Sequence, residues 1–194
     1  MENHLFAFIG IAASGKTEVA RHVCRKHGFH YIPSVTSRPP RPGNTDEYKH
    51  ISKKEFERHI KKGDFLEYTF FNGNYYGKLK EDVHAHLEKG HCVYTLTADQ
   101  VENLKKQHPK TQLVWVTPEE PVFEIIEKRL RNRNVHSEEE ISGKIKTAYA
   151  ELEIIKELHS EKFIDHIVTT VESDYDFALN QMDEAVRKTI NQFS

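Results

Sequence analysis

The chain has 194 residues, a length typical of one α/β domain, and 28 Lys+Arg against 30 Asp+Glu leave a formal charge of −2. A charge so near zero argues against non-specific nucleic-acid binding. No apolar run approaches the ~18–20 residues that span a bilayer, and two cysteines cannot build a disulfide framework. We therefore expect a cytoplasmic protein, monomer or homodimer, with no nucleic-acid and no membrane partner.

Four short apolar runs predict strands that are buried on both faces of a parallel sheet. They cover residues 5–9, 91–96, 112–116 and 166–171. Helical patterns lie between them, which is typical of βαβ units. The alternation predicts an α/β fold.

The first strand leads into a glycine-rich segment that fits G-x-x-x-x-G-K-[ST]: Gly10-Ile11-Ala12-Ala13-Ser14-Gly15-Lys16-Thr17. A helical pattern from Glu18 follows, so the strand–loop–helix context of a phosphate-binding P-loop is present. Backbone N–H groups of such a loop surround phosphates, and the helix N-terminus adds positive potential. We expect Lys16 to contact the β- and γ-phosphates of a nucleotide. Thr17 is the expected ligand of Mg²⁺, which prefers oxygen.

A proline-rich stretch at residues 34–43 interrupts the alternation of strands and helices. Arg38 and Arg41 lie three residues apart there, and two guanidinium forks can grip one phosphate. Tyr48 and Tyr76 can add hydroxyl donors. Glu67 can accept two hydrogen bonds from the N–H edge of a guanine. Together these residues predict a second phosphate site beside a base-reading carboxylate.

A β-hairpin is predicted between residues 65 and 76. Asn72-Gly73 is a strong signal for a type I′ turn, and strand-like residues flank it on both sides. This hairpin and the proline-rich stretch together indicate a small antiparallel insert in the parallel-sheet domain.

Several helix starts are marked by capping residues. Ser52 and Glu55 have the spacing of a capping box, and Ser137 opens a long helix in the same way. Thr97 is the expected N-cap of the helix after the second strand. Pro118 is expected at the first position of the next helix, where a proline is favoured.

These segments resemble the guanylate kinase family. The match in order and spacing includes residues 34–43, Asp46-Glu47-Tyr48, Gly63-Asp64-Phe65-Leu66-Glu67 and Gly73-Asn74-Tyr75-Tyr76-Gly77. The later segment Lys128-Arg129-Leu130-Arg131-Asn132-Arg133 looks like the family's lid. The resemblance covers about residues 4–190.

The resemblance implies a P-loop parallel-sheet core with helices on both faces, a small antiparallel substrate-binding insert and a helical lid. The core would be about 1–33, 91–125 and 150–194, the GMP-binding insert about 34–90 and the lid about 126–149. It also implies ATP on the P-loop, with Mg²⁺, and GMP in the insert. By matching position, the GMP phosphate would be held by Arg38, Arg41, Tyr48 and Tyr76. The guanine would be read by Ser34 and Glu67. The transferring phosphoryl group would be reached by Arg129 and Arg133, supported by Lys144.

The sequence departs from the family pattern at several positions. Thr95 and Thr97 stand where the family usually carries aspartates, Lys78 stands where Ser or Thr is usual, and Lys144 replaces an arginine. The leading interpretation is an ATP-dependent kinase that makes GDP from GMP. The alternatives are a relative that phosphorylates another nucleotide or a sugar phosphate, and a non-catalytic binding module of the same fold.

Overall fold

A computed structural model describes residues 3–40, 48–132 and 137–191. The strands are β1 (Leu5–Ile9), β2 (His30–Tyr31), β3 (Ser34–Thr36), β4 (Tyr48–His50), β5 (Phe65–Phe71), β6 (Asn74–Leu79), β7 (Cys92–Thr95), β8 (Gln112–Pro118) and β9 (His166–Thr170). The helices are α1 (Lys16–His27), α2 (Lys53–Lys62), α3 (Lys80–Leu87), α4 (Val101–Gln107), α5 (Val122–Asn132), α6 (Glu138–Ser160) and α7 (Tyr175–Asn191). Two predicted site residues, Arg41 and Arg133, lie outside the described residues.

A five-stranded parallel sheet forms the core, with the order β2-β7-β1-β8-β9. The four predicted strands are confirmed, and the two-residue β2 adds an edge. Phe6 and Phe8 point to the face covered by α1 and α7, whereas Leu5, Ala7 and Ile9 point to the face covered by α4, α5 and α6. Helices therefore cover both faces of the sheet, as expected. In the described ranges, no helix is long and apolar enough to cross a membrane.

A second, four-stranded sheet has the order β4-β3-β6-β5 and corresponds to the expected insert. Strand β6 runs antiparallel to β3 and β5, but β3 and β4 are parallel, so the sheet is mixed rather than wholly antiparallel. The type I′ turn is confirmed, because Asn72 and Gly73 have φ values of 47° and 76°. Phe56 of α2 packs on this sheet, with its ring 4.2 Å from that of Phe65.

The helix starts confirm the two predicted serine caps. The Ser52 hydroxyl accepts a hydrogen bond from Glu55 N–H at 3.1 Å, and Ser137 forms a complete capping box.

Thr97 occupies the predicted N-cap position with extended backbone, but it opens a 3₁₀ turn (Ala98–Gln100) before α4, and its side chain makes no cap hydrogen bond. The prediction for Pro118 is wrong. Pro118 ends β8 instead of opening a helix, since pairing with β9 continues as far as Thr170.

A buried carboxylate joins α1 to α7. Asp183 is 2% exposed, and its oxygens lie 2.9 Å from His22 Nε2, 2.7 Å from His27 Nε2 and 2.6 Å from Lys26 Nζ. Burial raises the pKa of Asp183, but the hydrogen bonds from Lys26, His27 and His22 outweigh this effect and hold the pKa at about 2. The ionised carboxylate therefore stabilises the contact between the two helices.

We expect Asp183→Asn to lower the free energy of unfolding at pH 7 by about 3 kcal/mol, because it removes the buried carboxylate that contacts Lys26, His22 and His27. The folded pKa of about 2 lies below the ordinary aspartate value of 3.8. The stabilisation is therefore present above pH ~4 and lost as the pH falls towards 2. Urea unfolding of Asp183→Asn and of the unchanged protein between pH 2 and 7 measures how their difference in the free energy of unfolding decreases towards low pH.

Glu184→Gln is the matched control for this prediction. Glu184 is the next residue of α7, but it is exposed and pairs with Lys188 on the surface at 2.7 Å. We expect its unfolding midpoint to match that of the unchanged protein. Equal midpoints for the two variants would contradict the role of Asp183.

Candidate functional site

The predicted phosphate loop connects β1 to α1 at the carboxyl edge of the core sheet. A Cβ atom at Gly10 would lie 2.3 Å from the Val116 carbonyl oxygen, so only glycine fits there. Ala13 and Gly15 have positive φ values of 60° and 97°, which turn the chain back upon itself before α1 begins at Lys16. The loop therefore directs the first N–H groups of α1 towards its concave side, where an anion is favoured.

The side chains of the loop supply further polar groups. Lys16 Nζ donates to the Ile11 carbonyl at 3.3 Å, so its ammonium lies over the loop. Ser14 is buried, and its Oγ has no hydrogen-bond partner within the described ranges. Such an orphaned polar atom marks a place where a ligand oxygen can be bound. Thr17, in the first turn of α1, carries a hydroxyl that suits Mg²⁺, which takes its other ligands from phosphates and water.

Arg129 of α5 lies on the rim of this loop. Its guanidinium donates to the Ala13 carbonyl at 3.2 Å and to Thr170 Oγ1 at 3.0 Å, and its Nε donates to Glu172 at 2.7 Å. The hydrogen bond from Arg129 lowers the pKa of Glu172. The sequence analysis missed Thr170 and Glu172, because nothing in their local pattern indicates the contact between β9 and α5. Lys144 is partly buried on α6.

Three of the predicted acceptor residues come together on the second sheet. The Arg38 guanidinium lies 4.9 Å from the centre of the Tyr48 ring, and the Tyr48 and Tyr76 rings are 6.0 Å apart. Two guanidinium nitrogens of Arg38 are buried without a hydrogen-bond partner among the residues described. Guanidinium donors beside two phenol hydroxyls form a site suited to a phosphate.

His50 adds an unforeseen member to this cluster. Its Nδ1 lies 2.6 Å from the Arg38 carbonyl oxygen, and its ring is 6.3 Å from that of Tyr48. Its Nε2 is buried and, in the described part of the chain, has no hydrogen-bond partner. The sequence offered no signal for His50, because a lone histidine on a short strand has no motif around it.

Glu67 and Ser34 lie around a buried lysine of the second sheet. Lys78 is 0% exposed, and its Nζ donates to Ser34 Oγ and to the Ile32 carbonyl, both at 2.8 Å. Glu67 pairs with Lys78 across β5 and β6 and is 4% exposed. Burial raises the pKa of Glu67 to about 7, against the opposing effect of Lys78 and with a further increase from Asp99.

A second carboxylate that the sequence analysis missed is Glu151 of α6. Burial raises its pKa above the usual value, while Lys16 and a hydrogen bond from the Ala98 backbone lower it. Glu151 therefore lies close enough to the P-loop lysine to interact with it electrostatically. No motif indicated this, since its approach to Lys16 depends on how α6 packs across the sheet.

Comparisons with known proteins show which family this chain belongs to. A family model described as "Guanylate kinase" matches residues 4–189. The chain belongs to the guanylate kinase family.

Several relatives named guanylate kinase are similar to this chain over most of its length. The protein from Fusobacterium nucleatum is 38% identical over 152 residues, which is 77% of this chain and 81% of the relative. The one from Nostoc is 30% identical over 96% of this chain and 90% of its own length. The one from Sus scrofa is 33% identical over 76% of each.

The fold is also similar to that of a solved guanylate kinase from Anaplasma phagocytophilum. The two structures have a TM-score of 0.67, and the match covers 97% of this chain and 87% of the other. Their sequences are only 16% identical, so this likeness concerns the fold. It supports the α/β fold with a parallel core sheet.

We expect the Glu67 carboxyl of the ligand-free protein to titrate with a midpoint near pH 7, because burial disfavours its ionised form. Carboxyl-detected NMR between pH 4 and 9 measures this midpoint, and Glu67→Gln assigns the signal by its loss. A glutamate in a short unstructured peptide, whose carboxyl midpoint is ~4.3, serves as the reference. Coincident midpoints for the two carboxyls would contradict the burial argument.

Proposed function

We propose that this guanylate kinase family enzyme transfers the γ-phosphoryl group of ATP to GMP and so makes ADP and GDP. One observation carries the proposal: the domain contains two separate phosphate-binding clusters, the P-loop and the Arg38–Tyr48–Tyr76 cluster. An ATPase or a simple nucleotide-binding domain needs only the first. The second cluster, close to the buried Glu67, supplies a place for an acceptor that carries both a phosphate and a polar base.

The ATP end of the site rests on the loop from Gly10 to Thr17. Its backbone N–H groups and Lys16 would neutralise the phosphates, which is the main demand of phosphoryl transfer. The Ser14 hydroxyl, buried without a partner in the described residues, would donate to a phosphate oxygen. Thr17 would hold Mg²⁺, and the ion when bound would neutralise charge between the β- and γ-phosphates.

The acceptor end would use Arg38, Tyr48 and Tyr76, together with Arg41 from outside the described residues, to hold the GMP phosphate. The unpartnered guanidinium nitrogens of Arg38 support this role, because they are donors without acceptors. This grip would orient one phosphate oxygen for in-line attack on ATP. Ser34 and Glu67 would read the base.

The cations that reach the transferring group would be Arg129, Arg133 and Lys144, within a lid of about residues 126–149. The contacts of Arg129 with the Ala13 carbonyl and Glu172 support this assignment, since they place a guanidinium at the P-loop. We further propose that residues 34–90 act as the GMP-binding insert on a core of about 1–33, 91–125 and 150–194. We also propose that the enzyme is a cytoplasmic monomer or homodimer without nucleic-acid or membrane partners.

The function is tested by ADP release from ATP–Mg²⁺ with GMP, dGMP, AMP, CMP, UMP and ribose 5-phosphate as separate acceptors. We expect turnover with GMP to exceed that with AMP and the pyrimidine nucleotides by at least ~100-fold, because the buried Glu67 can pair with the N–H edge of guanine. Selective turnover of another acceptor would point to the related kinase instead. ATP binding without any turnover would indicate a binding module.

Variants at the two phosphate clusters should fail in different ways. We expect Lys16→Ala to reduce kcat by ~100-fold or more, because it removes a cation from the transferring phosphates. We expect Arg38→Ala to raise KM for GMP by ~10-fold or more while leaving the ATP affinity unchanged. Steady-state kinetics with each substrate varied in turn, and calorimetry for ATP, separate these effects.

Arg58→Ala provides the matched control for Arg38→Ala. Arg58 is an exposed residue of α2 whose guanidinium lies 3.5 Å from Glu55 on the surface. We expect its kinetics to equal those of the unchanged enzyme. An Arg38→Ala enzyme with an ordinary KM for GMP would remove the acceptor-phosphate role from this cluster.

A further inference from the structure

The buried ammonium of Lys78 lies beside the two groups assigned to base reading. Lys78 is 0% exposed and its Nζ donates to Ser34 Oγ at 2.8 Å, while its backbone pairs with that of Glu67 across the sheet. The Tyr94 ring lies 4.9 Å from the same ammonium. Burial of this ammonium costs desolvation free energy. Its role therefore lies in its hydrogen bonds and its neighbours.

Hydrogen-bond chemistry gives the contact with Ser34 a direction. An ammonium has three N–H donors and no acceptor, whereas a hydroxyl has one donor and two acceptor lone pairs. Because Lys78 donates to Ser34, the Ser34 oxygen is the acceptor in that bond. The single Ser34 O–H is then left to donate to another group, and a base oxygen in the acceptor site is such a group. A serine or threonine at position 78 would impose no such direction, since it can donate or accept.

The same ammonium favours the ionised form of Glu67. Lys78 opposes the rise in the Glu67 pKa that burial and Asp99 cause. The charged and titratable groups that face this carboxyl are Lys78 on β6, Asp99 in the 3₁₀ turn and Tyr94 on β7. Glu151 on α6 faces Asp99 as well, and adds negative potential on that side. Lys78 is thus the cation in this group that favours the ionised, acceptor form of Glu67.

We propose that Lys78 is a positioning residue for base specificity, which makes Ser34 a donor and Glu67 an acceptor through its ammonium. A donor beside a carboxylate matches a purine that has a 6-keto oxygen next to an N1–H group, as guanine and hypoxanthine have. It mismatches adenine, which presents an amino group and an unprotonated N1 at the same places. The inference rests on the proposed function, because it assigns Ser34 and Glu67 to the base of the acceptor.

The test compares Lys78→Met, which keeps the length of the side chain but has no charge and no donor, with the unchanged enzyme. KM and kcat are measured for GMP, IMP and AMP between pH 5.5 and 9, with ATP saturating. We expect KM for GMP at pH 7 to rise ~10-fold, the value of about one charged hydrogen bond, while kcat and the KM for ATP change little. IMP should lose affinity in parallel, and the preference for GMP over AMP should fall ~10-fold.

The pH profile is the readout that a purely structural role would not move. KM for GMP should decrease as the pH rises and Glu67 ionises. In Lys78→Met we expect this decrease at a pH ~1 unit higher, because Glu67 ionises at a higher pH without its cation. Lys80→Met is the matched control, since Lys80 is exposed two residues further on and its Nζ donates to the Gly63 carbonyl at 2.9 Å. Its base preference and pH profile should equal those of the unchanged enzyme.

If Lys78→Met does not fold, Lys78→Arg and Lys78→Thr are compared instead. Lys78→Arg keeps the charge and the donors, so its pH profile should remain in place, whereas Lys78→Thr should shift it. A folded Lys78→Met, or a Lys78→Thr and Lys78→Arg pair, with unaltered base preference and pH profile would overturn the inference. An unchanged enzyme that transfers nothing to GMP would instead overturn the proposed function, so the two failures are distinguishable.

Discussion

The close approach of Gly10 to the Val116 carbonyl is the constraint on which the rest of the site depends. A Cβ atom there would lie 2.3 Å from that oxygen, so any other residue would push β1 and β8 apart. These strands are hydrogen-bonded neighbours at the centre of the core sheet. Because the loop leaves the sheet at this point, the position of α1 follows from it. The helix N-terminus, Lys16 and Thr17 can then face a common phosphate position.

The two clusters proposed to bind phosphate would solve the same electrostatic problem with different groups. The P-loop relies on backbone N–H groups and one lysine, which suits a chain of phosphates lying along a helix N-terminus. The acceptor cluster relies on a guanidinium beside two phenols, which suits a terminal phosphate with three oxygens. Both contain buried donors that lack partners among the described residues, in Ser14 and Arg38. Such groups cost stability in the ligand-free protein, a cost that natural binding sites commonly carry.

The buried lysine at position 78 connects the insert to the core as well as to the base site. Its ammonium donates to the carbonyl of Ile32, which follows β2, and lies against the Tyr94 ring of β7. Its backbone belongs to β6 of the second sheet. Buried charge pairs add little net stability, but a wrongly placed partner is strongly unfavourable. The contact therefore contributes mainly by fixing the relative position of the groups around it.

The local features of the chain could be predicted from the sequence because they depend on nearby residues. The P-loop pattern, the Asn72-Gly73 turn and the Ser137 cap all act within a few residues, and the structure has them. One predicted helix start failed for a reason that is not local: Pro118 stays in β8 because β9 pairs with it.

The sequence by itself determined the α/β class and the P-loop pattern, and its resemblance to guanylate kinases predicted the residues of the proposed acceptor site. Only the tertiary structure decided which side chains meet: Lys78 with Ser34, Arg129 with Glu172, and His50 with Arg38. The physical reason is that periodicity and capping arise from neighbours along the chain. Contacts between distant strands and helices, and the burial that shifts the pKa of Glu67, arise only when the whole fold excludes water.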